Sequence, residues 1–448
     1  MKLPLPVLLL VFALLCRDME AAAQPPPNIV VIMADDLGYA DIGVYGSRFA
    51  KTPHLDRLAA GGIRFTDFHS NGPMCTPTRA AFLTGLYQSR FGTKFEGALS
   101  KANDEVGLPL EALTIAEVLK QSGYVTGAFG KWHLGYQVPF LPTRQGFDEF
   151  RGLLSGDGDF HTRIDRSGSE DWYDGETIAM EPGYTTDLIT RDSIDFIDRH
   201  QNTPFFLYVP HLAIHFPWQG PEDPPHREAG TDYGKDKWGV IPDRANVRPH
   251  VIAMIERLDD SVGEIVAALE ERDLLENTFV IFTSDNGGYE NYPGGFENIS
   301  EMTPLRGQKG TIYEGGHRVP TIAFWPGRIA PSVCDATLMT MDLFPTFCAI
   351  VRAGHDELDG RDLSPILFNG DSIGDRDFFW RMRGSRAVRS GPWKLCLEGK
   401  KAPQLYHLGE DIGESTNLAL AEPHQVKTLM KALAEWEADV DQSAKKFE

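Results

Sequence analysis

The sequence lacks an excess of basic residues. Lysine and arginine number 43 against 64 aspartates and glutamates, so the formal net charge is −21. A protein that binds nucleic acid needs a basic surface to displace counterions from phosphates, and we therefore expect no nucleic-acid partner. A disordered chain is also excluded, because hydrophobic residues make up 42% of the 448 positions, enough for a sizeable core.

Cysteine is scarce. Cys16 falls in the N-terminal segment, which leaves Cys75, Cys334, Cys348 and Cys396 for the rest of the chain. So few cysteines over this length exclude a disulfide scaffold, even in an oxidising compartment. One bridge among Cys334, Cys348 and Cys396 stays open at this point, and Cys75 stands apart in a different context.

Long hydrophobic runs are absent after residue 24, so we expect no transmembrane segment. The N-terminus itself combines Lys2, an apolar stretch over residues 7–15 and the small residues at positions 21–23. A positive start, a short apolar middle and small residues at the end are typical of a secretory signal peptide. We predict that residues 1–23 are a signal peptide and that the mature protein is exported, being periplasmic or secreted (lysosomal in a eukaryote).

Apolar runs of strand length alternate with helical patterns along the chain. The runs are Asn28–Ala34, Tyr124–Phe129, Phe205–Val209 and Thr278–Ser284, and the helical patterns are Thr52–Ala60, Thr114–Ser122, Thr185–His200 and about Val247–Leu274. Strands that are apolar on both faces and alternate with helices predict an α/β fold, in which helices sandwich a large mixed, mostly parallel sheet.

The pattern changes near residue 350. Short strand-like segments at Ser385–Val388 and Trp393–Leu397 precede a helical pattern over roughly Pro423–Asp439. We predict a catalytic α/β domain over residues 24–350 and a smaller C-terminal α+β subdomain over residues 351–448, with a small antiparallel sheet and a terminal helix.

Two stretches rich in glycine, proline and charge, residues 151–183 and 217–246, are too long for ordinary connections between elements. They are either surface insertions or loops that wall a pocket above the sheet, and both interpretations can hold together.

Polar side chains follow two of the predicted strands directly. Asp35 and Asp36 end the first apolar run, and Asp285 and Asn286 end the last one. Ligands of open α/β sheets bind beyond the carboxyl ends of the strands, where these residues would meet. Carboxylate and amide oxygens suit Ca²⁺ or Mg²⁺, whereas zinc would require histidine or cysteine. Either pair alone would be explained as well by turn formation.

A helix is predicted from residue 76 to Gly85. Thr76 can cap it, Pro77 fits its first position and Gly85 can end it. Cys75 would then lie at the helix N-terminus, with Arg79 one turn further on, a setting that can activate a thiolate. The Cys-x3-Arg spacing does not match the Cys-x5-Arg loop of tyrosine phosphatases.

The segment Cys75-Thr76-Pro77-Thr78-Arg79, followed by Thr84-Gly85, resembles the sulfatase signature Cys-x-Pro-Ser/Thr-Arg-x4-Thr-Gly. Further motifs of that family match in order: Asp35-Asp36, Gly130-Lys131-Trp132-His133-Leu134-Gly135, Phe205–Pro217 with its His215, Thr283-Ser284-Asp285-Asn286-Gly287-Gly288, Leu305-Arg306-Gly307-Gln308-Lys309-Gly310 and Tyr313-Glu314-Gly315-Gly316. Near the C-terminus, Leu405-Tyr406-His407-Leu408 resembles a closing motif in which the family has aspartate in place of His407.

The resemblance covers nearly the whole mature chain, and the branch of arylsulfatase A and N-acetylgalactosamine-6-sulfatase looks closest. It implies the fold of the alkaline phosphatase superfamily and hydrolysis of a sulfate ester to an alcohol and inorganic sulfate. In this family a formylglycine-generating enzyme oxidises the signature cysteine, here Cys75, to Cα-formylglycine, whose hydrate is the nucleophile. The resemblance also implies one Ca²⁺, with these ligands: Asp35, Asp36, Asp285, Asn286 and the residue made from Cys75.

The resemblance implies roles for the cationic residues as well. Arg79, Lys131 and Lys309 would place positive charge around the sulfonyl oxygens. Lys131 and Lys309 would bind substrate together with His215, and Ser155 would add a hydrogen bond to the sulfate.

Proton transfer is assigned by the same analogy. Asp285 would deprotonate the attacking hydroxyl of the hydrate, and His133 would take the proton of the second hydroxyl as sulfate leaves. Either His215 or Lys309 would protonate the departing alcohol. His211 lies close to His215 in the sequence, and the family pattern favours His215.

The motifs do not identify the ester. A net charge of −21 disfavours docking of a long polyanion, so we expect a small sulfated carbohydrate or an aryl sulfate. Two other functions stay open: a metal-dependent phosphoesterase of the same superfamily, which would use a serine or threonine nucleophile and commonly two zinc ions, and an inactive protein that binds sulfated glycans.

Overall fold

A mixed sheet of ten strands lies at the centre of residues 25–235 and 246–447, which are the residues that this computed structural model describes. The predicted signal peptide, residues 1–23, lies outside them. The described residues form eighteen strands in all, because smaller sheets accompany the large one. In chain order the eighteen strands are β1 Asn28–Ala34, β2 Ile63–Phe65, β3 Phe68–His69, β4 Val125–Lys131, β5 Glu149–Leu153, β6 Tyr173–Asp174, β7 Thr177–Ile178, β8 Phe205–Pro210, β9 Thr278–Ser284, β10 Asn291–Tyr292, β11 Phe296–Glu297, β12 Thr321–Phe324, β13 Ser332–Cys334, β14 Leu338–Met339, β15 Asp377–Met382, β16 Ser385–Ser390, β17 Trp393–Glu398 and β18 Gln404–His407.

The middle of the large sheet is parallel. The strand order is β13-β2-β12-β9-β1-β8-β4-β5-β6-β7, in which the neighbours from β9 to β5 run parallel and β12 runs antiparallel to β9. Every residue of β1 and β9 is buried, as expected for central strands that are apolar on both faces. The predicted mixed, mostly parallel sheet is confirmed.

Helices cover both faces of this sheet, and the last helix of the chain packs against a second sheet instead. In chain order they are α1 Pro53–Gly61, α2 Cys75–Thr84, α3 Ile115–Gln121, α4 Thr185–Arg199, α5 Arg248–Glu271, α6 Glu314–His317, α7 Leu343–Val351 and α8 Pro423–Ala444. Successive side chains of β1 point to opposite faces. Val30 and Ile32 belong to the core under α1, α4 and α5, whereas Ile29 and Val31 belong to the core under α2, α3 and α7.

The strands that precede the candidate site residues end at or within two residues of their predicted positions. Strands β1 and β9 have the predicted ends, but β4 continues to Lys131, two residues beyond the predicted end at Phe129. The reason is its ladder with β5, in which Lys131 pairs with Leu153. Lys131 is therefore held at the end of a strand and not in a loop.

A second, antiparallel sheet of order β15-β16-β17-β18 follows near the C-terminus, and α8 packs against it. Its core joins Trp380 and Leu395 with Ala81 of α2 and Ile312. Helix α7 spans the predicted boundary at residue 350. The division into residues 24–350 and 351–448 stays a prediction.

The four described cysteines, Cys75, Cys334, Cys348 and Cys396, are all free thiols. The bridge that the sequence left open among the last three does not form.

In the part of the chain that the structure describes, no helix combines the length and the apolar character needed to cross a bilayer.

Candidate active site

Four oxygen-bearing side chains meet where β1 and β9 end side by side. Ala34 pairs with Ser284 at the last position of the ladder, so the residues after each strand become neighbours. The backbone N–H of Asp36 donates to Oδ1 of Asp285 at 3.3 Å, and Nδ2 of Asn286 donates to Oδ1 of Asp36 at 2.8 Å. The structure thus brings together four of the five predicted metal ligands, including Asp35.

Cys75 lies directly above these carboxylates and is buried. Its thiol donates to Oδ1 of Asp35 at 3.3 Å, and its Sγ is 3.4 Å from Nζ of Lys131 and 3.2 Å from Nζ of Lys309. The residue that the sequence singled out as the reactive one therefore sits between two carboxylate-bound lysines.

The cap predicted for helix α2 is wrong. The helix begins at Cys75 itself and its N-cap residue is Met74, so Thr76 lies inside the first turn. The hydroxyl of Thr76 is used elsewhere: it donates to the carbonyl of His133 at 3.0 Å and accepts from the N–H of Leu99 at 3.1 Å. Thr76 thereby ties the helix start to two other segments of the site.

The surroundings of the Cys75 thiol oppose its ionisation. Burial raises its pKa, and the charges of Asp285 and Asp35 raise it further, against the opposing effect of Lys131 and Lys309. Activation of the thiolate by the helix N-terminus and Arg79, which the sequence allows, is therefore counteracted by burial and by the two carboxylates.

Three cations are paired with the three carboxylates. Arg79 donates to Oδ2 of Asp285 from Nε at 3.0 Å, with Nη2 at 2.8 Å from the same oxygen. Nζ of Lys131 donates to Oδ2 of Asp35, and Nζ of Lys309 donates to Oδ1 of Asp36. All six side chains are buried. Because three are formally negative and three formally positive, their formal charges cancel.

The donor set fits a hard cation. Oδ2 of Asp36 and Oδ1 of Asn286 are buried and accept no hydrogen bond from any residue that the structure describes, a situation that ordinarily costs about 1–3 kcal/mol per group unless a ligand is present. Asp35, Asp36, Cys75 and His215 each offer one atom, and these atoms lie within 4.8 Å of one another. Carboxylate and amide oxygens of this kind suit Ca²⁺ or Mg²⁺.

The two predicted histidines occupy different sides of the site. His133 contacts the carbonyl of Leu99 through Nε2 at 2.9 Å, while its buried Nδ1 has no hydrogen-bond partner among the described residues. His215 contacts the carbonyl of Phe216 through Nδ1 at 2.8 Å and places Nε2 3.7 Å from Oδ2 of Asp36. Burial, together with the positive charge of Lys131, lowers the pKa of both imidazoles.

His211 does not reach the site. Its Nε2 contacts Oγ of Ser261 on helix α5 at 3.1 Å. The choice of His215 over His211 made from the sequence agrees with this geometry.

The comparisons with known proteins agree with this constellation. The family model described as Sulfatase matches residues 27–352. The chain belongs to the sulfatase family. Human arylsulfatase A is 37% identical, over 89% of this chain and 84% of that protein, and canine N-acetylgalactosamine-6-sulfatase is 32% identical, over 92% and 85%. The predicted family, branch and sulfuric ester hydrolase activity are confirmed.

Among solved structures, this sulfatase resembles Ps i-CgsB, which was crystallised in complex with k-i-k-neocarrahexaose. The TM-score is 0.80 at 29% identity, and the match covers 94% of each chain.

A cleft of about 450 Å³ opens above the reactive centre of this sulfatase. Cys75, His133, His215, Lys309 and Ser155 all line it. The hydroxyl of Ser155 donates to the carbonyl of Asp157 at 2.8 Å, and the predicted hydrogen bond to sulfate stays a prediction.

The long stretches of residues 151–183 and 217–246 do contribute to the wall of this cleft. The first supplies Asp157, Asp165 and Arg166, and the second, which is described as far as residue 235, supplies Asp232. The interpretation of these stretches as pocket walls is therefore correct for the parts that the structure describes.

Several residues that line the cleft were not predicted individually from the sequence. They are Lys101, Tyr136, Arg166, Phe216, Tyr289, Tyr292 and Arg383. The sequence motifs assign a chemical role to none of them. Arg383 comes from the C-terminal sheet.

Proposed function

We propose that this sulfatase hydrolyses the sulfate ester of a small sulfated carbohydrate or an aryl sulfate to an alcohol and inorganic sulfate. Formylglycine made from Cys75 would be the nucleophile, and one Ca²⁺ would be the metal. The observation that carries the proposal is the position of Cys75 at the base of the cleft, between Lys131 and Lys309 and above Asp35.

The charges around Cys75 support an anionic substrate. The three buried carboxylates and the three buried cations cancel, so a bound divalent cation would leave the site positive. A sulfate ester is an anion, and its hydrolysis places further charge on oxygen, which preorganised cations stabilise in a site that excludes water. The net charge of −21 on the whole chain is thereby overcome locally.

The residues that would hold Ca²⁺ are Asp35, Asp36, Asp285 and Asn286. When bound, the ion would supply positive charge beside the reacting group and stabilise a deprotonated oxygen. Arg79 and Lys131 keep Asp285 and Asp35 in place, because each of these carboxylates already accepts a hydrogen bond from one of the two cations.

Formylglycine would supply two hydroxyls as its hydrate, one to attack sulfur and one whose loss of a proton lets sulfate depart. Asp285 would accept the proton of the first. His133 would accept the proton of the second at Nδ1, because that nitrogen has no hydrogen-bond partner among the described residues while Nε2 contacts Leu99.

The leaving alcohol needs a proton from the cleft side. Nε2 of His215 and Nζ of Lys309 both face the region between Asp36 and the cleft. Lys309 also donates to Sγ of Cys75, so its ammonium group lies nearest to the reacting atom. Both residues stay candidates for the general acid.

A substrate panel tests the function. Full-length protein matured with a formylglycine-generating enzyme is assayed for sulfate release from sulfated monosaccharides, disaccharides, a long sulfated chain and an aryl sulfate, with matched phosphate esters in parallel. We expect release from at least one small sulfate ester and slower turnover of the long chain. Faster turnover of the long chain than of its disaccharides would contradict the preference for small substrates.

The two other functions have distinct outcomes in the same panel. Zinc-dependent turnover of a phosphate ester that survives Cys75→Ala would favour a phosphoesterase. Tight binding of a sulfated sugar without release of sulfate would favour an inactive glycan-binding protein.

Export to the periplasm or the cell exterior stays a prediction, supported by the pattern of residues 1–23. Maturation of Cys75 by a partner enzyme is supported by the match of residues 75–79 to the family signature.

A further inference from the structure

Three cations outside the catalytic cluster line the cleft: Lys101, Arg166 and Arg383. Two of them are neutralised by aspartates. Nζ of Lys101 is 2.6 Å from Oδ2 of Asp165, and Nε of Arg166 is 2.8 Å from Oδ1 of Asp157.

Arg383 differs from the other two. The backbone N–H of Arg383 donates to the carboxylate of Glu96, but its exposed guanidinium forms no hydrogen bond, ion pair or ring contact with any residue that the structure describes. Because no carboxylate of the described residues neutralises it, this guanidinium is a cation of the described wall that is available to an incoming anion. Guanidinium groups bind carboxylate and sulfate oxygens through two parallel hydrogen bonds, so they suit this task.

The turn that carries Arg383 is fixed in place. Met382 pairs with Ser385 across β15 and β16, which leaves Arg383 and Gly384 as a two-residue turn with φ of 46° and 85°. Such turns favour asparagine, aspartate or glycine at the first position, so the turn itself does not call for an arginine. Arg381, two residues before Arg383, anchors the hairpin through ion pairs with Glu96 at 2.7 Å and Asp441 at 2.7 Å.

A glycine leaves room for the Arg383 side chain. Gly97 has an ordinary extended backbone, with φ of −144°, which any residue can adopt. A Cβ at this position would lie 3.2 Å from Nε of Arg383, closer than side chains normally pack. A side chain at position 97 would therefore press against the Arg383 guanidinium, which would have to shift by a few tenths of an ångström.

We propose that Arg383 forms a second anion subsite of the cleft, which binds a carboxylate or a second sulfate of the substrate away from the sulfate that is cleaved. The substrate class would then be a small saccharide with at least two anionic groups. This inference rests on the proposed function, because it assumes that the cleft binds the sulfate ester at Cys75. Tyr136, Tyr289 and Tyr292 line the space with flat, partly apolar rings against which a sugar ring can pack.

The test compares three disaccharides that share one cleavable sulfate ester. The first carries a uronate carboxylate, the second has that carboxylate reduced to an alcohol, and the third is the reduced compound with a second sulfate. We expect Arg383→Gln to lower kcat/KM by about tenfold on whichever of the two dianionic substrates the subsite takes, and by less than about twofold on the reduced one. Arg383→Lys should retain part of the rate on the charged substrate.

Arg386→Gln is the matched control. Arg386 lies on the same hairpin, pairs with Glu437 at 3.6 Å and is not part of the cleft wall. Its replacement should leave all three rates unchanged. An equal loss with Arg383→Gln on all three disaccharides would mean that Arg383 only supports the hairpin, and no loss on any of them would mean that the subsite does not exist. Either result overturns the proposal.

Failure of the subsite can be told apart from failure of the sulfatase chemistry. If the wild-type protein releases no sulfate from any disaccharide, the proposed function fails, and the subsite is then decided by calorimetric binding in a Cys75→Ala background. About tenfold weaker binding of the charged disaccharides in Arg383→Gln, without a change for the reduced one, would support the subsite. Equal affinities would overturn it.

Discussion

Nζ of Lys309 lies 3.2 Å from Sγ of Cys75, although the two residues are 234 positions apart in the chain. The backbone on either side explains how this contact is held. The N–H of Lys309 donates to the carbonyl of Gly288 at 2.8 Å, and the N–H of Gly310 donates to the carbonyl of Pro73 at 2.8 Å. The loop that carries Lys309 is therefore bonded both to the segment after Asp285 and Asn286 and to the segment before Cys75.

Replacing Cys75 should abolish turnover. We expect Cys75→Ala and Cys75→Ser to lower kcat by at least about a thousandfold, because the nucleophile can no longer be made, while the midpoint of thermal unfolding stays near the wild-type value. Sulfate release and thermal unfolding are measured on the same preparations. Cys334→Ala is the control, since this partly exposed thiol lies on strand β13 at the edge of the sheet. A Cys75→Ala variant with wild-type turnover would disprove the role of this residue.

Removing the metal should weaken activity. A chelator is expected to lower sulfate release, and Ca²⁺ should restore it better than Zn²⁺, because the available donors are carboxylate and amide oxygens. Asn286→Ala should raise the Ca²⁺ concentration needed for half-maximal activity, since Oδ1 of Asn286 is buried without a hydrogen-bond donor. Turnover that is unaffected by chelation would rule out the metal assignment.

The general acid can be identified through the leaving group. Loss of an acid costs most when the departing alcohol is a poor leaving group, and acid–base catalysis contributes about 10²–10⁴-fold. We expect one of His215→Ala and Lys309→Ala to lose at least about tenfold more activity on a sugar sulfate than on a nitrophenyl sulfate. Rates of both variants on both substrates give the answer. If neither variant shows this difference, the proton comes from elsewhere.

A buried ion network close in sequence to the loop of Lys309, formed by Lys394, Glu314 and Glu414, should be important for stability. Nζ of Lys394 on β17 lies 2.9 Å from Oε1 of Glu314 and 3.0 Å from Oε1 of Glu414, and all three side chains are buried. Lys394→Met removes the cation that pairs with Glu414 and one of the cations around Glu314, which also pairs with Arg318 at 3.2 Å. Because breaking a buried ion pair leaves an uncompensated charge, we expect it to lower the free energy of unfolding by about 3–5 kcal/mol. Denaturant unfolding measures the loss.

Lys401→Met is the control for that experiment. Lys401 pairs with Glu398 at 3.0 Å, but its side chain is exposed, and exposed ion pairs contribute little to stability. Its replacement should leave the unfolding transition in place. Equal effects of the two substitutions would show that the buried network is not what stabilises this region.

The reactive centre was predictable from the sequence because its residues directly follow apolar strands or belong to contiguous motifs. Asp35 and Asp285 end strands that pair in register, so the strand pattern alone places them together. The fold class follows from the same alternation of buried strands and helices.

The rest depends on contacts between distant segments, which a single sequence does not encode in a local pattern. Thr76 has the residue type of a helix cap, but its hydroxyl binds the carbonyl of His133, and the N-cap is Met74, two residues earlier than predicted. Arg383 belongs to none of the sequence motifs, and its position on the cleft results from packing of the C-terminal sheet against the catalytic part. Glu314 belongs to a family motif, but nothing in the sequence pairs it with Lys394, and only the fold buries the two together.

Modification of Cys75, on which the proposed chemistry depends, is measured by a peptide mass spectrum across Met74–Arg79, on protein made in its native host or together with a formylglycine-generating enzyme. We expect an aldehyde at Cys75, accompanied by its hydrate. An unmodified thiol in protein prepared under those conditions would contradict this expectation.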